Sequence, residues 1–559
     1  MTEEMAEPLP QPETTSMSLT RTTWFQTSML IIVGALAYAN SFNVPFLFDD
    51  ETSIVNNTVL RDLYGFLRDG YSYNPNRFIG YLSFAGNYAL GGLTVSGYHA
   101  VNLTIHLANA LLVYALVRLV LVTPLVNAGP RVTRSHDDTS GEFWFASLMP
   151  FLVALLFVCH PLQTQAVTYI VQRLTSLSTL FYLTSLVLYL QWRLAYESGA
   201  PALSFRVGLA LLLSVAAAVL AMKTKEIAAT LPFMALLSEF ALFGKPDRKR
   251  LALLAPLLVT VLVVPLTMLN LHQPAGDILS DVSVVTADTT ALNRGSYLIT
   301  QFGVILTYLR LMVFPLGQNL DHDIPISYSL FEFRPLVSLF VLLCILAGAG
   351  DLWRRSASGS RSAVTGFARM GAFGIFWFFI ALSVESSIVP IRDVLFEHRV
   401  YLPSVGFCMA VVALVGLVAG RIGRKLLSGW QFAAAVLVVV ALIFAGTTFA
   451  RNRVWRDGVT LWSDVRDKSP RKYRAYSMLG TYYADEGRTS EALTALETAV
   501  QLNPKAYDSL FNLAQVYGWQ GRNQEAERIL ATLKREAPER YREFEAVYRS
   551  QFSVPGATR

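Results

Sequence analysis

The stretch Ser296–Pro315, "SYLITQFGVILTYLRLMVFP", decides the fold. A helix crosses a bilayer in about 20 apolar residues, and this segment is long enough. It also carries Gln301 and Arg310 and stops at Pro315. Whether it crosses sets the sidedness of everything after it. Lys and Arg collect on the cytoplasmic side of short loops. Arg131 and Arg134 mark one side as cytoplasmic, and "KPDRKR" from Lys245 falls on that side if every span between them crosses. "DLWRRSASGSR", Arg369 and "RIGRK" from Arg421 join them only if the Ser296 segment does not cross. The segment therefore reads as an interfacial or re-entrant helix.

Outward from it, spans begin near Trp24, Gly97, Phe143, Thr175, Arg206, Ile227, Leu251, Pro335, Met370, Leu402 and Gly429. The 559 residues are 53% hydrophobic and only 15% charged, the composition of an all-α polytopic membrane protein with about eleven crossings. The net charge is +6 with no basic arm or stripe, so nucleic-acid binding is a poor reading. Cys159, Cys344 and Cys408 lie in or beside apolar spans without CxxC spacing, which argues against a disulfide framework, a zinc site or a redox site. Residues 1–22 read as a disordered cytoplasmic tail. "ALAYAN" resembles a small-residue cleavage site, but the downstream topology is the same either way. Residues 23–450 form the expected membrane domain, with residues 451–559 on the outer, extracytoplasmic face.

Composition changes sharply at Arg451. Tyr476, Leu479, Gly480, Tyr483, Ala492, Leu496, Ala499 and Pro504 fall at tetratricopeptide-repeat spacing. Leu510, Leu513, Ala514, Tyr517, Ala526, Leu530 and Pro538 repeat it, and Trp455, Trp462 and Pro470 look like a degenerate preceding unit. Such an α-solenoid has a concave face suited to an extended peptide, for which Tyr476, Tyr483 and Asn512 are the expected contacts. The competing reading is a packing cap on the membrane domain.

Charged side chains at membrane depth are costly and mark function by default. Here they crowd the outer face. Asp49 and Asp50 follow the first span, in "FLFDDETSIVNN". Arg77, His99, His160, Gln165, Arg173, Lys225 and Glu226 come next. Asp321 and Asp323 flank His322, and Glu397, His398, Arg399 and Tyr401 close the set. A carboxylate pair suits proton abstraction from a hydroxyl, since like charges raise one pKa. If the strand there is extended, the two point opposite ways. Arg and Lys suit a departing phosphate. Asp321–His322–Asp323 resembles a metal triplet, but its spacing is poor and no metal is predicted. His99 and His106, seven apart on one helical face, fit packing better than ligation.

"FLFDDETSIVNN", "CHPLQTQAVTYIVQR", "KTKEIAATLP" and "EHRVYLPSVGF" together resemble the transmembrane and tetratricopeptide-repeat-containing glycosyltransferases, of the GT-C fold. The likeness runs from Trp24 through the repeats. It implies inverting transfer of a sugar from a polyprenyl-phosphate carrier, without a cofactor, to a Ser or Thr hydroxyl of an exported protein. It implies catalysis by Asp49 or Asp50 and donor phosphate binding by Arg173, Lys225 and Arg399, with Arg77 helping. The family has an Arg after its "HPxxTxAV" helix, matched by Arg173, and a Lys-Glu pair, matched by Lys225 and Glu226. Its "ER.Y.P" motif is met by Glu397 with His398 inserted before Arg399. A Glu is common where this chain has Gln165, which weakens a catalytic role there. Animal members have longer repeat arrays, so this chain reads as a bacterial, plasma-membrane version with undecaprenyl phosphate as carrier. A transferase acting on a lipid or envelope glycan would use the same outer site. A scaffold or transporter fits less well, because no duplicated halves are visible.

Overall fold

The computed structural model describes residues 13–127, 140–268, 293–358, 363–387, 390–391, 393–423 and 429–552. Among them there is no strand. The first helices are α1 (Glu13–Ala37), α2 (Leu63–Tyr73), α3 (Phe78–Gly91), α4 (Val95–Leu121) and α5 (Ser140–Cys159). Next come α6 (Arg173–Glu197), α7 (Phe205–Met222), α8 (Leu231–Ser238) and α9 (Arg248–Val259). Then follow α10 (Arg294–Val313), α11 (Phe333–Ser358), α12 (Ala363–Leu382), α13 (Pro403–Gly423) and α14 (Gly429–Asn452). The C-terminal helices are α15 (Gly458–Lys468), α16 (Tyr473–Asp485), α17 (Thr489–Leu502), α18 (Tyr507–Trp519), α19 (Asn523–Glu536) and α20 (Pro538–Phe552). This is an all-α membrane bundle of GT-C type followed by tetratricopeptide helices.

Among the described residues, eleven helices are long and apolar enough to cross a membrane. The number matches the expectation, but the membership differs. Arg294–Val313 qualifies by length, while the apolar part of α1, Thr22–Ala37, is shorter. Helix α1 begins at Glu13, so it extends into the stretch expected to be a disordered tail. Residues 1–12 of that tail lie outside the described residues, as do Arg131 and Arg134.

The bundle has two chemically distinct ends. At the basic end, Arg369 Nε donates to the Ala241 carbonyl (2.8 Å), and its guanidinium lies over Trp353 (4.2 Å). Arg354 and Arg355 pair with Asp351, and Arg250 pairs with Glu197. At the acidic end, Arg77 pairs with Glu226. Glu226 and Ala241 belong to one 18-residue apolar segment, Glu226–Phe243, so the ends are roughly 25 Å apart at 1.5 Å per helical residue.

Helix α10 packs against α11 and, among the described residues, bonds to acidic-end groups near both of its ends. The Tyr297 hydroxyl donates to the Glu385 carbonyl (3.0 Å), near its start. Gln301 donates to the Val394 carbonyl (3.2 Å), and the Tyr308 hydroxyl to the Phe396 carbonyl (2.9 Å). Near its end, the Met312 carbonyl accepts from His160 Nε2 (2.9 Å). Glu385 follows the last turn of α12, and His160 follows that of α5. Both ends of a 20-residue helix therefore lie at the same level of the bundle.

The repeats pack onto this same end. A shared apolar core joins Val44, Leu47 and Tyr169 to Trp455, Trp462 and Leu479. Trp455 stacks on Tyr169 (5.4 Å), and Trp462 meets the Phe48 ring edge-on (5.2 Å). Those two tryptophans, expected to mark a degenerate unit, anchor the solenoid to the bundle. Within the solenoid, a Cβ at Gly480 would collide with Leu496, so the close helix approach requires glycine.

Candidate active site

The acidic loop is a turn, and the extended strand considered for Asp49 and Asp50 is absent. Phe48 has a φ of 54°, in the left-handed region that non-glycine residues rarely adopt. A π-helical turn, Glu51–Val55, follows the two aspartates. This geometry gives them different surroundings.

Asp50 is buried, 1% exposed. Its carboxyl accepts from the Leu47 amide (3.0 Å) and from the Val171 amide (2.6 Å), at the head of α6. Burial outweighs those two bonds and pushes its pKa up from 3.8 to about 8. Asp50 thus holds the loop in place and is mostly protonated at neutral pH. Asp49 is half-buried and lines a cavity of about 260 Å³ with Phe48, Asp393 and Arg474. Its amide donates to the Tyr169 hydroxyl (3.0 Å). Burial, with the charge of Asp49, raises the Tyr169 pKa well above 10, so that hydroxyl keeps its proton.

One turn beyond Val171, the Thr175 hydroxyl accepts from Lys225 Nζ (2.8 Å). Lys225 also pairs with Glu385 (3.3 Å), and Arg399 Nε lies 4.0 Å from the same carboxylate oxygen. Arg399 further donates to the carbonyls of Asp393 (2.7 Å) and Val394 (3.2 Å). Arg77 grips Glu226 through Nε (3.1 Å) and Nη2 (3.3 Å). Burial lowers the Lys225 pKa, against the pull of Glu385. Arg77, Lys225 and Arg399 outnumber Glu226 and Glu385, leaving the cluster one positive charge in excess.

Beside these cations, the Gln165 Oε1 accepts from the His398 amide (2.6 Å). Gln165 Nε2 and His398 Nδ1 are buried without hydrogen-bond partners among the described residues. Burial, then the charges of Lys225, Arg399 and Arg77, push the His398 pKa well down, so its ring is neutral.

Other expected site residues serve the scaffold. Arg173 is fully buried, and its guanidinium donates to Asn102 (2.6 Å), the Ser83 carbonyl (3.2 Å) and the Tyr98 carbonyl (3.1 Å). It lies over Phe84 (4.6 Å), so its guanidinium ties α3, α4 and α6 together at the position expected to bind phosphate. His99 bonds the Val44 carbonyl (2.8 Å). His160 accepts from the Leu162 amide at Nδ1 and so donates at Nε2, to Met312. The Tyr401 hydroxyl sits in the core between His106 (2.7 Å) and Asn109 (3.1 Å). Glu397 ties down the Gln318–His322 loop, accepting from the Asn319 amide (2.6 Å) and contacting His322 (2.9 Å). Asp321 pairs with Lys472 and Arg474, and Asp323 with Arg471. These two carboxylates dock the repeats. Among the described residues, no three His, Cys, Asp or Glu side chains are placed to hold a metal.

The expected peptide contacts divide. Tyr476 and Tyr483 line one cavity with Arg466 and Glu491. Asn512 lines another, between α16 and α18, with Thr481 and Trp519. The sequence reading missed Glu385, Asp393, Tyr169 and Arg474. A lone acid just past the apolar run of α12 was a usable signal for Glu385. The others act only through contacts distant in sequence.

A family model for the tetratricopeptide repeat matches residues 483–548. Similar curated proteins include the "Protein O-mannosyl-transferase Tmtc3" of Drosophila melanogaster, 25% identical over 84% of this chain and 54% of its own. Others are "Protein O-mannosyl-transferase F38B6.6" of Caenorhabditis elegans (23%; 85% and 62%) and "Protein O-mannosyl-transferase TMTC4" of Homo sapiens (24%; 83% and 65%). The chain is similar to protein O-mannosyl-transferases, and it spans between about half and two thirds of the length of these relatives. They are animal proteins and lend no support to the bacterial setting. No solved structure matches.

Proposed function

We propose that the chain is an inverting glycosyltransferase that moves a sugar from a polyprenyl-phosphate carrier to a Ser or Thr hydroxyl of a protein. The sugar named by its relatives is mannose. One observation carries the reading. A half-buried carboxylate, Asp49, and a cluster of Arg77, Lys225 and Arg399 are fixed to neighbouring turns at the head of α6, through Val171 and Thr175.

Asp49 takes the proton of the acceptor hydroxyl. That oxygen attacks the anomeric carbon from the face opposite the phosphate. The bond between that carbon and the phosphate oxygen breaks, and its electron pair leaves with the prenyl phosphate. Cations held in a dry setting stabilise that charge without reorganising. A phosphate already leaves as a stable anion, so no general acid is needed. The unpartnered Gln165 Nε2 supports a polar donor beside the cations.

In this reading residues 23–450 are the membrane catalytic domain and 451–559 the acceptor-facing repeats. The basic end faces the cytoplasm and α10 lies in the outer interface, as its contacts support. The groove of about 720 Å³ between α10 and α11, apolar except for Arg310, Arg334, Thr307 and Ser338, would admit the prenyl chain laterally. The test is transfer of radiolabelled sugar from a synthetic polyprenyl-phosphate donor to Ser/Thr peptides by the purified protein. Absence of transfer, with donor binding absent too, contradicts the reading.

A further inference from the structure

We infer that Arg474, a side chain of the repeats, is a positioning residue of the catalytic centre. The inference rests on Asp49 being the base. Arg474 lies in α16, the first helix of the repeat pair, beyond the membrane bundle. Its Nη1 is 2.8 Å from the Asp393 carboxylate and 3.4 Å from that of Asp321. Its guanidinium also lies 5.9 Å from the Phe48 ring centroid, beside the strained residue that aims Asp49. One side chain therefore touches three loops that are far apart in sequence.

Its position differs from that of its neighbours. Lys472 and Arg471 also pair with the Asp321–Asp323 stretch, but neither lines the Asp49 cavity. Asp49, Asp393 and Asp508 do line it, and among the described residues Arg474 is the one cation there. Asp508 is pulled outward by Arg540 (2.6 Å). Arg474 thus brings positive charge to the cavity that Asp49 lines, while Asp393 and Asp321 hold it there. It also joins the two halves of the centre. The Asp393 side chain receives Arg474, while its carbonyl receives Arg399. Arg399 and Lys225 then share Glu385. Base and phosphate cluster are linked through a residue that the solenoid supplies, so the Arg474 side chain itself, and not the docking contacts around it, sets their relative placement.

The test uses the full-length purified protein with a synthetic polyprenyl-phosphate sugar and a Ser/Thr peptide, comparing Arg474→Gln, Arg474→Lys and Lys472→Gln. Misplacing a base by about 1 Å costs about 100-fold in rate. Arg474→Gln should lower kcat by that order with little change in donor KM. It should also move the acid limb of the rate profile to higher pH, because the cation that favours ionised Asp49 is gone. Arg474→Lys should restore the acid limb but only part of kcat. Lys472→Gln, which loosens the same docking interface, should leave kcat and the profile within about twofold of the parent. An unshifted profile and normal kcat in Arg474→Gln, or an equal loss in Lys472→Gln, overturns the inference. Should Arg474→Gln not fold, Arg474→Lys alone decides: full activity with an unchanged kcat contradicts it. Asp49→Asn run beside them separates the two failures. If Asp49→Asn is fully active, the underlying reading fails. If it is dead while Arg474→Gln is normal, only the present inference fails.

Discussion

The Asp50 carboxyl accepts the Val171 amide at 2.6 Å, across 121 positions of sequence. This bond fixes the loop that carries Asp49 to the head of α6, four residues above the Thr175–Lys225 contact. The paired aspartates therefore have separate duties. One is a buried peg, and the other lines the cavity and is the proposed base.

The peg makes stability depend on pH in a particular direction. Its pKa rises from 3.8 unfolded to about 8 folded, chiefly through burial. Between those values the native state holds a proton that the unfolded chain releases, so stability falls as pH rises from about 4 to about 8 and is level above. The thermal midpoint in detergent should drop between pH 5 and pH 8.5. Asp50→Asn should be less stable by about 1–3 kcal/mol at pH 5, having lost one acceptor, and should lose much of the pH dependence. A flat profile in the parent contradicts this.

Lys225 and Glu385 form a buried pair at 3.3 Å. Removing one partner strands the other charge. Glu385→Leu or Lys225→Met should each cost about 3–5 kcal/mol, while the double variant recovers most of that loss. Activity should stay lost in the double variant, because the phosphate cluster lacks a cation. Denaturation curves and transfer assays on all three variants check this.

Arg173 is expected to matter for stability and not for donor affinity. Arg173→Lys cannot reproduce three hydrogen bonds and the stacking on Phe84, so its thermal midpoint should fall clearly. Donor KM in the folded fraction should change less than about threefold. A rise of tenfold or more would return Arg173 to the phosphate site.

Helix α10 should present both ends to the same side. In a Cys344→Ser background, Arg294→Cys and Leu316→Cys should both react with a membrane-impermeant maleimide added outside intact cells. Reaction of only one, with the other labelled after permeabilisation, would make α10 a crossing helix.

The sequence was most legible where the solvent acts on a whole segment. Apolar runs announce spans, and arginine clusters give them an order in which the Ser296 segment stands apart. The repeats were legible because Gly480 and its partners recur at fixed spacing. The centre was half legible. Asp49, Lys225 and Arg399 stood out because charge at a membrane boundary is costly. Arg173 stood out for the same reason, and composition cannot tell a charge satisfied by Asn102 and two carbonyls from one left for a ligand. Asp393 and Arg474 look like ordinary loop and helix charges until the fold brings them together at 2.8 Å.

Asp49, and not Asp50, is the proposed base. The most direct measurement is single-turnover sugar transfer with donor binding recorded on the same samples, for Asp49→Asn. Unchanged donor affinity with transfer reduced by about 1,000-fold or more is the expected result for loss of a general base in a preorganised site. Transfer within tenfold of the parent, by a folded and donor-binding Asp49→Asn protein, would contradict the account.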